Sequence, residues 1–270
     1  MKIERCCFKK HIAIIIVLCF LGPIAYGKAK TEEKMGIKTI KFSNIVDLSH
    51  LITPEIPLWP GDPRVEFKTV ARLEKDGYYL RRFSIGEHSA THMNAPNSFH
   101  HQGAGIDAYA PQSLVQPAVV IDVRRQSRQN PDYIITSQDV IRWEKKYGRI
   151  KSKSIVIFYT GWQERWQSPK AFLNPDANGG LHFPGIGGQT THFLLKQRNI
   201  AGVGIDTHGV DPGQDEQYAT NTQILANNGI VLECLTNLHK LPPKGATLVI
   251  GLLRLHQGSG SPVSVLAFTP

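Results

Sequence analysis

Apolar and polar positions divide this chain into segments of two periodicities. Residues 117–123 are a near-continuous apolar run, the mark of a strand buried on both faces. Residues 154–159, 200–205 and 230–235 repeat that character, and 246–253 and 263–268 supply two last strands. Residues 78–85 place aromatic and β-branched side chains among arginines and also read as a strand. Between these runs the period lengthens. Thr136-x-x-Asp139 resembles a capping box, Val140, Ile141 and Tyr147 follow at helical spacing, and Gly148 closes the helix. Residues 189–198 and 216–227 read as further helices, the second with Gly229 just past its end. Pro54, Pro57, Pro60 and Pro63 make 53–63 an irregular loop, and 167–188, rich in Pro, Gly and Asn, reads as a long surface excursion. Strands alternate with helices in the second half. The expected class is therefore α/β: one compact, β-rich domain over 44–270, a mixed sheet with flanking helices.

The first 27 residues follow another pattern. Lys2, Arg5, Lys9 and Lys10 form a basic head, 12–21 is an unbroken apolar run, and Ala25 and Gly27 are small residues placed for cleavage. This is the pattern of a secretory signal peptide. The run is too short to span a bilayer, which needs about 20 residues. Residues 28–43 then form a lead-in to the domain. The expected location is periplasmic or secreted, with the membrane met only through the leader during export. Removing the leader's four basic residues and one acidic residue takes the formal charge from +9 to +6. The remaining basic residues are scattered, and no basic stripe interleaved with aromatics points to nucleic acid. Of four cysteines only Cys234 would remain, so no internal disulfide is available, and Cys234 reads as a small buried hydrophobe.

Candidate chemistry concentrates in the stretch from His88 to Phe99. In an extended strand His88, His92 and Asn94 share parity and face one way. Four extended residues nonetheless span roughly 13 Å at about 3.3 Å each. Side chains that far apart cannot share one ion, because Zn–N bonds are only about 2.0–2.1 Å. A shared metal therefore requires a bend near 89–91, and Pro96 ends regular ladder pairing. Glu233, set in the apolar run 229–235, is the second informative position. A carboxylate there must be paired, protonated or bound to a cation. Solvated histidines and a plain salt bridge are the readings that the residues alone leave open. Asp206 and Asp211 read as structural caps, with His208 ambiguous between them. His100 and His101 follow Phe99 and offer an imidazole as general base, or else are solvated loop side chains. Trp59, Phe99 and Trp162 are candidate walls of an aromatic substrate pocket, or packed anchors.

These motifs resemble the metal-dependent cyclase/hydrolase family, which contains kynurenine formamidases and isatin hydrolases. Its signature is H-x-G-T-H-x-D-x-P-x-H-F, of which this chain keeps His88, Thr91, His92, Pro96 and Phe99. Gly202 to Thr207 is similar to the family's strand ending in GxD. Asn221 to Leu225 with Glu233 is similar to its HxxLL helix and Glu-bearing strand, and Gly258 to Val263 to its closing loop. The resemblance covers about 44–268. It implies a cyclase-like swivelling β/β/α fold, usually oligomeric, here expected as a homodimer, that hydrolyses amides or formamides of small aromatic compounds. The family aspartate is Asn94 here, its last motif histidine is Ser98, its helix histidine is Asn221 and its motif glycine is Ala90. Both second-site histidines are thus replaced together. The expectation is one divalent ion, zinc or manganese, held by His88, His92 and Asn94, with Glu233 as fourth ligand or as base. The alternative is a catalytically lapsed relative that binds a small ligand.

Overall fold

Twelve strands run through residues 39–270, the part of the chain that a computed structural model describes. The expected signal peptide and residues 28–38 lie outside the described residues. In chain order the strands are β1 (Asn44–Asp47), β2 (Glu66–Ala71), β3 (Leu80–Ser84), β4 (His92–Asn94), β5 (Val115–Asp122), β6 (Ile134–Ile135), β7 (Ile155–Tyr159), β8 (Gly185–Ile186), β9 (Gly202–Ile205), β10 (Ile230–Glu233), β11 (Lys244–Leu252) and β12 (Gly260–Thr269). Eight form the main sheet in the order β1-β12-β11-β5-β7-β9-β10-β4. The strands β5, β7, β9 and β10 are mutually parallel; the rest pair antiparallel. A further pairing, of β12 with β4, closes seven of the eight into a ring and leaves β1 as an extra strand on β12.

Alternation along the strands separates two apolar layers. Met93, Val120, Ile157, Leu232, Leu248 and Val265 pack together on one face, the interior of the ring. On the opposite face Val119, Phe158, Val203 and Val231 pack against Val140, Trp143, Leu194 and Ile224 of the covering helices. The helix Ser137–Tyr147 begins at the expected capping box, where Asp139 accepts hydrogen bonds from the backbone N–H and hydroxyl of Thr136. Residues 189–198 divide into an α-helix, Gly188–Phe193, and a π-helical turn, Leu194–Arg198. The helix expected over 216–227 is shorter, Ala219–Leu225. Asp215 takes the backbone N–H groups of Gln217 and Ala219, and Tyr218 adopts φ of 49°, so the preceding residues form a turn.

The segment 167–188 is not the surface excursion that its composition suggests. It contains the helix Pro169–Leu173, and Phe172 and Phe183 are fully buried in a third apolar cluster with Ile56, Val65 and Trp166. Trp162 belongs to that cluster as well.

Candidate active site

The outer face of the ring carries the chemistry. In the β4–β10 ladder His92 stands opposite Glu233 and Asn94 opposite Val231, while Met93 and Leu232 point into the ring. The period-2 alternation thus puts His92, Asn94 and Glu233 on one side. His88 joins them because the chain bends where the distance argument requires it. Ala90, at the position of the motif glycine, has φ of 55°, and its carbonyl accepts a hydrogen bond from Nδ1 of His92 at 2.9 Å. A left-handed conformation is uncommon for a residue with a side chain and marks local strain.

Each donor is held by a partner. With Nδ1 of His92 given to Ala90, its Nε2 faces Oε2 of Glu233 at 3.0 Å. Oε1 of Glu233 accepts the Val210 N–H at 2.9 Å and the Asn221 amide at 3.2 Å. His88 places Nδ1 2.9 Å from Oδ1 of Asn94 and Nε2 2.9 Å from the Ser259 hydroxyl, which in turn donates to Glu87. Asn94 donates to Oδ1 of Asn221 at 2.9 Å, and Asn221 donates to Asp211 at 2.9 Å. Burial pushes the Glu233 carboxyl upward, but the hydrogen bond and charge of His92, with the Val210 and Asn221 donors, hold it at about 2. Burial, and then the neighbouring His92, depress His88.

A cavity of about 320 Å³ opens beside this cluster. His88, His92, Asn94, Asn221 and Glu233 form its base. Trp59, Phe99, Phe183 and Tyr218 give it aromatic walls, and Asp62, Asp215 and Glu216 line it as well. The cavity contains no lysine or arginine. Trp59 and Phe99, read from the sequence as candidate pocket walls, both line this cavity. Trp162 does not: it is 2% exposed, and its indole N–H donates to the Phe172 carbonyl inside the third cluster. His100 is also placed elsewhere. Its Nε2 bonds the Thr222 carbonyl at 2.8 Å, which ties the loop to the helix Ala219–Leu225 and leaves it off the cavity wall. Ser98 lines the cavity with its hydroxyl turned back onto the Ala95 carbonyl.

Residues 46–212 match the family profile described as "Putative cyclase". The isatin hydrolase of Roseibium aggregatum is 32% identical over 246 residues, 84% of this chain and 92% of that protein. The chain belongs to the cyclase family. The kynurenine formamidase of Salinibacter ruber is 25% identical over 228 residues, 81% of this chain and 94% of the relative. Among solved structures, isatin hydrolase A from Ralstonia solanacearum superposes with a TM-score of 0.78 at 33% identity, covering 84% of this chain and 92% of that one. Isatin hydrolase A from Labrenzia aggregata bound to benzyl benzoate also gives 0.78, at 31% identity, covering 84% and 93%. The relatives are thus hydrolases of small molecules, and the mixed, sheet-dominated fold is the family's.

Two cavity residues carried no decisive signal in the sequence. His208 is buried against the Trp59 ring at 5.4 Å, and burial lowers its imidazole to about 4, so it is neutral near pH 7. Asp211 caps the helix Ala219–Leu225 through the N–H groups of Thr220 and Asn221, as a cap should, but it also holds the Asn221 side chain. Asp206 is purely a cap: it binds Thr160 and the Gln163 N–H. Cys234 is buried, and burial pushes its thiol well above the ordinary range, in keeping with a packed hydrophobe.

Proposed function

We propose that the protein is a metal-dependent hydrolase that cleaves the C–N bond of a small aromatic amide, with cyclic amides and formamides as the first candidates. The observation that carries this reading is the junction of two features in one cavity. Imidazole and oxygen donors converge at its base, and aromatic rings wall it. The donors come in two close pairs. His88 Nδ1 and Asn94 Oδ1 are 2.9 Å apart, and His92 Nε2 and Glu233 Oε2 are 3.0 Å apart. Two ligands about 2.1 Å from one ion, at a right angle, are separated by about 3.0 Å, so each pair fits one coordination sphere. Among the described residues no group of three or more His, Cys, Asp or Glu has metal-holding geometry; the amide oxygen of Asn94 is the donor that would complete the set. Imidazoles suit zinc, whereas an amide and a carboxylate oxygen suit manganese equally.

A divalent ion supplies carbonyl polarisation and a water of lowered pKa. The chain's own residues do the rest. Trp59, Phe99, Phe183 and Tyr218 line the space that a planar substrate would take. Neutral His208, on the cavity wall, can accept a proton from water and return it to the departing nitrogen. Glu233, anchored through Oε1 to the Val210 N–H and the Asn221 amide, would offer Oε2 beside Nε2 of His92.

Elemental analysis of the mature protein, with a panel of isatin, N-formylkynurenine and simple lactams, tests the reading. One ion per chain and turnover of a panel member are expected. A metal-free protein without turnover would instead favour a ligand-binding relative, a reading to which the fully hydrogen-bonded His88–Asn94–Asn221 network lends support. We further propose export, on the leader pattern, and a homodimer. For the dimer the support is the β2–β3 hairpin, where Val70, Leu80 and Phe83 are 58%, 46% and 58% exposed.

A further inference from the structure

We propose that Asn221 is a positioning residue that fixes which way round the Asn94 amide lies, and so turns the Asn94 carbonyl oxygen toward His88 and the metal side. The inference rests on the metal-site reading above for its purpose, though not for its geometry. An asparagine side chain has an acceptor end and a donor end of nearly the same shape, and its hydrogen-bond partners decide between them. Asn221, 4% exposed, has its terminal nitrogen 2.9 Å from an oxygen of Asp211 and 3.2 Å from an oxygen of Glu233. Ionised carboxylates only accept, so only the NH2 end of Asn221 can face them. Reversed, its oxygen would lie against two acceptors in a buried site.

The consequence passes along the chain of amides. With its NH2 end held by the acids, Asn221 presents its oxygen to Asn94, and only the NH2 end of Asn94 can answer it, at 2.9 Å. Asn94, 2% exposed, then has a single orientation left, with Oδ1 2.9 Å from His88 Nδ1. The orientation matters because the carbonyl oxygen of an amide can ligate a cation and its NH2 group cannot. A carboxylate at position 94 would need no such device, since either of its oxygens can serve. Two of the four replacements that distinguish this chain from the family pattern, those at 94 and at 221, therefore work as one unit.

Two measurements test this. In the metal-free protein, a neutron structure should place the Asn94 NH2 group toward Asn221 and its oxygen toward His88. The reverse placement of the Asn94 amide would overturn the proposal whether or not the chain binds metal or turns over substrate. The second measurement is affinity for Mn²⁺ and Zn²⁺. Asn221→Leu should weaken binding by about ten-fold or more, the usual cost of losing an outer-sphere partner. In an Asn94→Asp background the same change should cost less than about three-fold, since orientation no longer matters there. Equal losses in both backgrounds would show that Asn221 acts only through stability or charge, and would overturn the proposal. Should Asn221→Leu not fold, the neutron structure of the unaltered chain decides alone.

Discussion

Nε2 of His92 lies 3.0 Å from Oε2 of Glu233 across the β4–β10 pairing, with side-chain exposures of 1% and 6%. Removing one partner of a buried pair leaves the other uncompensated, at a cost of about 3–5 kcal/mol. Glu233→Ala also strands the Val210 N–H and one donor site of Asn221. Chemical denaturation of metal-free Glu233→Ala should show a loss of that size. Glu233→Gln, which keeps an acceptor for Val210, should lose less.

Gly260 leaves room for the His88 ring. A Cβ at that position would lie 2.7 Å from Cε1 of His88 and 3.0 Å from the Met93 carbonyl. Gly260→Ala should displace the imidazole while β12 stays paired. The expected result is a turnover about ten-fold or more below the unaltered protein, in line with the cost of misplacing a reacting group. Steady-state kinetics alongside a thermal melt will separate this from unfolding.

Two histidines differ in place and should differ in effect. His208→Ala removes the buried imidazole of the cavity wall and should lower kcat by about 100-fold or more while metal content stays constant. His100→Ala breaks only the bond to the Thr222 carbonyl, so turnover should hold while stability falls by about 1 kcal/mol. Equal losses of kcat in the two variants would contradict this assignment.

The cavity is acidic although the chain is basic. Asp62 and Glu216 line it with no lysine or arginine to balance them. A neutral lactam should therefore be processed with kcat/KM about ten-fold above a carboxylate-bearing analogue at low ionic strength. The ratio should shrink in salt. It should also shrink in the Asp62→Asn/Glu216→Gln double variant.

Burial raises the Asp206 carboxyl to about 6, against the hydrogen bonds from Thr160 and Gln163 that favour the charged form. The folded chain thus holds a proton there that the unfolded chain releases near its ordinary value. The contribution is fully present below about pH 4 and is lost as pH rises through about 6. The difference amounts to about 3 kcal/mol, each pKa unit being about 1.4 kcal/mol. Stability of the unaltered chain relative to Asp206→Asn should fall between pH 4 and 7, and a carboxyl NMR titration should show the midpoint directly.

Much of this architecture was legible in the residues. The continuous apolar runs gave β5, β7, β9 and β10 because parallel strands buried on both faces leave no room for polar alternation. Strand β4 was not, since its three residues are His, Met and Asn and its pairing partners lie far along the chain. The bend before His92 was legible only on the condition of a shared metal, and Ala90 supplies it. Phe172 and Phe183 were missed as core because isolated aromatics among Pro and Gly carry no period. Trp162 and Trp59 look alike in sequence; only the fold decides that one indole meets a buried carbonyl and the other a cavity. The contact of Asn94 with Asn221 spans 127 positions, and no local pattern announces it.

Strand β4 is bound on both sides, by β10 and by β12. A short strand at a sheet margin would ordinarily fray independently of the rest of the fold. Here, peeling away the segment that bears His92 and Asn94 means cutting a closed hoop, so its excursions are tied to collapse of the whole barrel. Two residues of that keystone strand, His92 and Asn94, also belong to the base of the pocket, and selection on either role acts on both.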